Sequence, residues 1–280
     1  FTFGGTVLLA HVFWTIQSQS DIFIASRSLS IHELGLYAEA LFLTTIFTAK
    51  FVPPLNEIAF PAYSRIQDDP GAVRWSFLKA VRLIMLIACP IYFGMAVTAQ
   101  ELVHVVLGKK WIGMAPIVAV LALVMPLMTL QILFAPANNA LGRPQISARV
   151  TMFGAVVMPL AFMIGVNFGV MGLAYAWVAG FPLLTVFTFQ QSYKHLGISA
   201  GDIARALWPG LSTSLAMAVI VYLANNILPE MLIYARLGVL LAIGGAIYLG
   251  LLYAVARPTF DEVIQFIMHR KSPEQPQDSI

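Results

Sequence analysis

Charge is what this chain has least of. Only 10% of its 280 residues are Asp, Glu, Lys or Arg, where soluble domains carry about a quarter. Hydrophobic residues make up 59%, and mean hydropathy is +0.83. So much apolar surface cannot be hidden in a water-soluble core, which makes the chain an integral membrane protein. A single cysteine, Cys89, rules out an internal disulfide. No Asn-x-Ser/Thr sequon, phosphate-binding Gly-x-x-x-x-Gly-Lys-Ser/Thr loop or His-Glu-x-x-His motif occurs. Histidines 11, 32, 104, 195 and 269 are scattered and do not have metal-ligand spacing. The opening "FTFGG" lacks the basic start and cleavage site of a signal peptide. A first residue of Phe1 leads us to expect that the chain begins inside a longer protein.

What is present is a series of long apolar runs. A bilayer crossing needs about 20 mostly apolar residues in succession. Eight such spans are read at 3–26, 35–58, 80–99, 114–138, 145–166, 170–191, 208–227 and 233–256. Turn chemistry separates them: "SIHELG", "QDDPG", "LGKKW", "LGRP", "NFGVMG", "SAGD", "LPEM" and "ARP". Open sheet edges would be unsatisfied in lipid, and the runs are too long for barrel strands, so the expected fold is an all-α, eight-span helical bundle.

The net charge of +3 does not call for a nucleic-acid partner, because the cations follow the loops of a membrane protein. Arg65, Arg74, Lys79, Arg82, Arg143, Arg149, Lys194, Arg205, Arg257, Arg270 and Lys271 fall on one side of the expected topology. Arg27, Lys109, Lys110 and Arg236 fall on the other. The positive-inside rule then places both termini of this chain in the cytoplasm.

Three segments read as amphipathic helices lying along the inner headgroups: "DDPGAVRWSFLKAVRL", "SAGDIARALW" and "TFDEVIQFIMHR". Asp69 is the expected cap of the first, with Pro70 at its first helical position. Ser199 with Asp202, and Thr259 with Glu262, have capping-box spacing. Capping also explains the acidic pair Asp68–Asp69 without a metal. The tail "KSPEQPQDSI" is expected to be disordered. Prolines at 116, 126 and 136 should kink the fourth span.

Polar side chains inside the spans are the candidates for function. A charge at a helix centre costs about 2.5 to 3.5 kcal/mol on insertion scales, so such residues face the bundle interior or a water-filled cavity. The first span carries "WTIQSQSDIFIASRS". Gln17 and Asp21 lie one turn apart on the same face, with Gln19 and Arg27 on others. Lys50 lies deep in the second span, with Asn56 and Glu57 near its inner end, and Asn138 and Asn139 close the fourth. Arg27 and Lys50 are long enough to snorkel to an interface. The two asparagines also suit a helix terminus. Asp21 is too short to snorkel far, which leaves a cavity role or a polar bond between helices. Asp21 and Lys50 differ in depth by roughly 12 Å at the helical rise, which disfavours a direct ion pair.

In this order and spacing, "SDIFIASRSLSIHELGLYAEA", "FPAYSRIQDDP", "LGKKWIGMAPIVAVLAL", "ALGRP" and "GVMGLAYAW" resemble the C-terminal half of bacterial lipopolysaccharide and exopolysaccharide flippases. These belong to the multidrug/oligosaccharidyl-lipid/polysaccharide exporter superfamily. The resemblance covers about residues 1–195 and departs from the usual pattern at Glu39 and at Ala25–Ser26. It implies spans 7–14 of a fourteen-span, two-lobe exporter. Residues 1–192 would be the six-helix C-terminal transport lobe and 193–257 two additional spans. Residues 258–280 would be a cytoplasmic amphipathic helix and tail.

The implied function is movement of an undecaprenyl-diphosphate-linked oligosaccharide across the bacterial inner membrane, without covalent chemistry. The implied partners are membrane lipids, the lipid-linked oligosaccharide and an N-terminal lobe missing from this chain. No cofactor is implied beyond a coupling proton or Na+. Lys50 and Arg27 are the phosphate candidates, Gln17, Gln19, Asn138 and Asn139 the sugar-contact candidates, and Asp21 the coupling candidate. The rival readings are a cation-coupled drug exporter of the same superfamily and a membrane polysaccharide polymerase. The short outer loops disfavour the polymerase.

Overall fold

A computed structural model describes residues 3–255, all of whose regular elements are helical. Ten α-helices follow one another: α1 Phe3–Ser28, α2 Ile31–Arg65, α3 Pro70–Val97, α4 Ala99–Leu107, α5 Ala115–Ile132, α6 Phe134–Ala140, α7 Pro144–Gly165, α8 Gly169–Leu196, α9 Ala200–Ile227 and α10 Ile233–Val255. With α5 and α6 taken as one interrupted rod and α4 as a short connector, eight rods of membrane-crossing length remain, as expected.

Among the described residues, six helical stretches are long and apolar enough to cross a membrane. One of them, Pro144–Leu196, folds back on itself as α7 and α8. The first helix, α1, is not among the six, since its Gln17–Asp21 segment lowers its hydropathy. Outward faces carry exposed Phe42, Leu160, Leu183, Leu215 and Leu241, the surface that lipid covers. The chain is a multi-pass membrane protein.

The rod at the centre is α5–α6. Two-thirds of its most apolar window (67%) is buried, against 28 to 44% for the other stretches. Its sequence "APIVAVLALVMPLMTL" is hydrophobic all round, which suits a helix enclosed on every side. It packs against α2, α3 and α8, while α1 packs on α7 and α7 on α8. Lipid tails are as apolar as leucine, so these contacts rely on close packing rather than on a hydrophobic effect. Gly165 and Gly172 meet backbone to backbone, where a Cβ on either would overlap the other's carbonyl.

Prolines shape the rods by removing donors. Pro136 cannot bond the carbonyl of Ile132, and the rod breaks there, at Leu133, between α5 and α6. Pro90 leaves the Leu86 carbonyl without its helical partner, and the Tyr248 hydroxyl of α10 donates to that carbonyl at 2.6 Å.

The caps expected from sequence are present. The Asp69 carboxylate accepts from the backbone of Gly71 and Ala72 at 2.9 and 3.0 Å, and Ser199 with Asp202 forms a capping box. The two segments expected to lie along the headgroups differ from expectation. Residues 70–82 and 200–208 continue without a break into α3 and α9. No turn residue separates the amphipathic part from the apolar part in α3, and in α9 the helix runs through Pro209. The expected helix at 259–270 and the expected tail lie outside the described residues.

Helices α9 and α10 attach on the side of α3 and α4. At the basic end, Arg74 of α3 pairs with Asp202 of α9 at 2.8 Å. At the opposite end, Asn225 of α9 donates to Glu101 of α4 at 3.0 Å, and Arg236 donates to Asn225 at 2.8 Å. The two ends of α9 are thus tied to neighbouring rods by charged or amide groups.

Candidate functional site

A cavity of about 760 Å³ lies among α1, α2, α5, α6, α7 and α8, near the end of the bundle that carries "LGRP". Its polar lining comes from His11 and Trp14 of α1, Thr45, Thr48, Asn56 and Glu57 of α2, Gln131 of α5, Asn138 and Asn139 of α6, Ser147 and Thr151 of α7, and Thr188 of α8. Among the described residues, no lysine or arginine lines it.

Local sequence sets the two asparagines. The "LGRP" turn closes α6 with Gly142 at φ 70°. Arg143 N–H bonds the Asn138 carbonyl and Gly142 N–H bonds the Asn139 carbonyl, both at 3.0 Å, the paired bonds of a Schellman cap. The backbone of both residues is thereby held, and the side chains meet the cavity. Asn138 Nδ2 donates to Ser192 Oγ at 2.9 Å, and Asn139 Oδ1 accepts from Ser147 Oγ at 3.0 Å.

The hydroxyls around the cavity have their protons occupied elsewhere. Thr45 donates to Leu41 O at 2.7 Å, Thr151 to Ser147 O at 3.0 Å and Thr188 to Leu184 O at 2.7 Å, each within its own helix. Thr48 is bonded to Tyr92 and Thr129. Among the described residues five buried side-chain polar atoms lack a hydrogen-bond partner, and three of them belong to lining residues: Asn56 Oδ1, Gln131 Oε1 and Asn138 Oδ1. Gln131 and Asn138 are only 6% and 2% exposed. A buried acceptor with no partner costs about 1 to 3 kcal/mol, so this concentration is not a stabilising feature of the fold.

The other half of the bundle is closed. Asp21 on α1 is fully buried, and its Oδ2 accepts from the Tyr37 hydroxyl of α2 at 2.8 Å. The Tyr37 oxygen in turn accepts from Trp177 Nε1 of α8 at 2.8 Å. Asp21 Oδ1 accepts from Ile22 N–H at 2.7 Å. Around this chain, Phe181 stacks on Trp177 at 5.0 Å between centroids and Phe162 lies tilted at 5.7 Å. Asp21 has no ion-pair partner among the described residues. Along α1 it lies seven residues beyond Trp14 of the cavity wall, roughly 10 Å at the helical rise.

The sequence candidates therefore separate. Asn138 and Asn139 line the cavity. Gln17 is buried between α1 and α7, beside Gly154, where a Cβ would overlap its amide. Gln19 is exposed on α1. Arg27 is exposed, with its guanidinium 4.3 Å from the Phe23 ring centre. Lys50 is exposed on α2, next in sequence to the lining residues Thr48 and Ala49 but not itself lining.

Gln131, Tyr37 and Trp177 were not singled out from sequence. Gln131 stands seven residues before Asn138, a spacing that puts the two amides on one helical face. Tyr37 and Trp177 carried a weaker signal, since a buried tyrosine or tryptophan seeks a partner for its polar edge but the sequence does not say which.

Comparison with known proteins places this architecture. Residues 1–116 match the polysaccharide biosynthesis protein family. The chain is 26% identical over 231 residues to the lipopolysaccharide biosynthesis protein WzxC of Escherichia coli, covering 81% of this chain and 46% of that one. It is 25% identical to the teichuronic acid biosynthesis protein TuaB of Bacillus subtilis, over 68% of this chain and 38% of TuaB. It is 23% identical to a probable low-salt glycan biosynthesis flippase, Agl15 of Haloferax volcanii, over 80% of this chain and 50% of that one. Among solved structures it matches the lipid II flippase MurJ in an inward closed conformation, with TM-score 0.74 and 13% identity. That match covers 89% of this chain and 52% of MurJ. The chain thus spans about half or less of the length of these relatives. It is related to polysaccharide-biosynthesis membrane proteins and shares the helical fold of a lipid flippase.

Proposed function

We propose that this chain is one lobe, equivalent to spans 7–14, of a transporter that flips an undecaprenyl-diphosphate-linked oligosaccharide across the bacterial inner membrane. The observation that carries the reading is the cavity among the helices of the bundle, where amides and hydroxyls interrupt an otherwise apolar wall near the end that carries the basic residues. A glycan cannot cross hydrocarbon, whereas a lipid tail can stay in the bilayer while its head group moves through such a cavity. The basic residues lie at the open end, so the positive-inside rule puts the opening and both termini in the cytoplasm. A second lobe preceding this one would complete the enclosure, and rocking of the two lobes would alternate access.

In this reading Asn138 and Asn139 contact sugar, with Gln17 and Gln19 as further candidates on α1. Lys50, beside the cavity on the outward face of α2, and Arg27 are the candidates for the diphosphate. Asp21 is the candidate for a coupling proton or Na+. No bond of the substrate is made or broken. The test is reconstitution of the full-length protein, residues 1–280 with any flanking sequence its gene encodes, into liposomes loaded with the glycosylated lipid. Glycan should become accessible on the opposite leaflet at a rate above that of protein-free vesicles. No acceleration, together with active extrusion of a cationic dye such as ethidium, would overturn the reading in favour of a drug exporter.

A further inference from the structure

The geometry points to a lipid site outside the cavity: a basic pocket on α3 holds the phosphate of an anionic bilayer phospholipid. Such a site needs only a membrane-embedded chain and is independent of what the chain transports.

Gly71, Arg74, Trp75, Leu78, Lys79 and Arg82 recur at helical spacing along α3 and together line a pocket of about 190 Å³. Val73, Phe77, Val81 and Ile84 form another stripe of the same helix, and they are buried in the bundle. The basic stripe is thereby left on the outside. Among the described residues no carboxylate lines the pocket. Arg74 is held in place by Asp202 of α9 at 2.8 Å while its side chain stays 47% exposed. A guanidinium has five N–H donors, so this ion pair fixes the group and leaves donors for a ligand. The Lys79 ammonium lies 4.7 Å from the centre of the Trp75 ring. Trp75 itself is 62% exposed, as suits a tryptophan whose ring rests among lipid head groups.

Depth singles out a lipid as the occupant. Beyond Arg82, α3 runs from Leu83 to Val97 without a charge. Lys79 and Arg82 therefore sit where head groups meet hydrocarbon. On α9, Gly210 meets the Met85 backbone. Trp208, two residues earlier and also exposed, then lies within about one turn of that level. Basic pockets at this depth attract anionic head groups, and a fixed guanidinium beside an ammonium suits phosphate oxygens. The volume is below the roughly 300 Å³ at which drug-sized sites begin, which gives room for a phosphate but not for an oligosaccharide. Leu78 and the Trp75 ring offer apolar surface to the glycerol esters next to it.

The test is native mass spectrometry of the delipidated full-length protein in detergent. Four probes are titrated: phosphatidylglycerol, phosphatidylcholine with the same acyl chains, undecaprenyl phosphate and inorganic phosphate. The wild type should bind a first phosphatidylglycerol at least about tenfold tighter than phosphatidylcholine. Lys79→Glu should remove that preference, and leave both the affinity for phosphatidylcholine and the melting temperature without lipid unchanged. Lys79→Gln should weaken phosphatidylglycerol by about threefold, and it carries the test where Lys79→Glu loses the folded species. Lys194→Glu makes the same charge change on α8, at the same end of the bundle but outside the pocket, and should keep the preference.

Equal binding of the two phospholipids by the wild type overturns the site. So does an equal loss in Lys194→Glu and Lys79→Glu, which would reduce the effect to diffuse surface charge. Tighter binding of undecaprenyl phosphate than of phosphatidylglycerol, lost in Lys79→Glu, gives the pocket to the polyprenyl lipid instead. Displacement of phosphatidylglycerol by millimolar inorganic phosphate reduces it to a free-anion site. None of these results bears on whether the chain flips a glycan.

Discussion

Asp21, Tyr37 and Trp177 sit at one end of the bundle, and each polar edge among them meets another across helix boundaries. At the other end, Asn56, Gln131 and Asn138 keep amide oxygens with no partner at all. Both groups are buried polar clusters in a membrane protein, yet they behave as opposites. The first is a completed network that joins α1, α2 and α8, and a satisfied network makes a local structure rigid and unique. The second is incomplete within the protein, with its amide oxygens buried and unpaired. The difference teaches that burial alone does not identify a binding site in such a bundle. The two groups differ in the state of their hydrogen-bond partners.

The largest effect should come from packing in the closed half. Gly172→Leu places a side chain against the Gly165 backbone, which cannot move aside, and overpacking costs about 1 to 3 kcal/mol or more. We expect loss of the monodisperse, folded species in size-exclusion chromatography of the detergent extract. A well-behaved variant would show that α7 and α8 are less closely apposed there.

Asp21 comes next. Asp21→Ala in the full-length protein should abolish polymer export while the protein still accumulates in the membrane. It also strands the Tyr37 hydroxyl, at a cost of about 1 to 3 kcal/mol. Asp21→Asn retains an acceptor for Tyr37 and should melt close to the wild type. Loss of export in both variants would assign the role to charge, whereas normal export from Asp21→Ala would reduce Asp21 to a helix-to-helix contact.

Trp177→Phe removes one hydrogen bond and keeps an aromatic ring against Phe181, so a loss of about 1 kcal/mol is expected, the scale of such bonds in membrane proteins. The smallest effect belongs to the open half. Thr188→Val deletes a hydroxyl that bonds only its own helix and should change stability by less than about 0.5 kcal/mol. If thermal unfolding found the Thr188 and Trp177 variants equally destabilised, the contrast between the halves would fail.

Much of the fold was legible because membranes leave few options. Long apolar runs must be helices, and "QDDPG" and "LGRP" stop them where the structure does, whereas of "SIHELG" only Ser30 lies outside the helices, because it caps α2, which begins at Ile31. Boundaries between interfacial and spanning helix were not legible at residues 70–82 and 200–208, because amphipathic and apolar segments share one continuous α-helical backbone. The candidate site was half legible. Asn138 and Asn139 stood out as amides in an apolar run, and both line the cavity. Gln17 and Asp21 stood out for the same reason, yet they are buried elsewhere, since a polar residue in a span announces only that it needs a partner and not who the partner is.

From the sequence alone came the membrane setting, the helical class, the number of rods, the caps at Asp69 and Ser199 and the short list of intramembrane polar residues. These depend on composition and on spacing of a few residues, which act locally. Only the tertiary structure decided that Asp21 joins Tyr37 and Trp177 while Asn138 borders the cavity together with Gln131. Those partners lie 16, 140 and 7 positions apart. Which of them meet depends on how α1, α2, α5, α6 and α8 rotate and pack around one another, and no local pattern encodes that rotation.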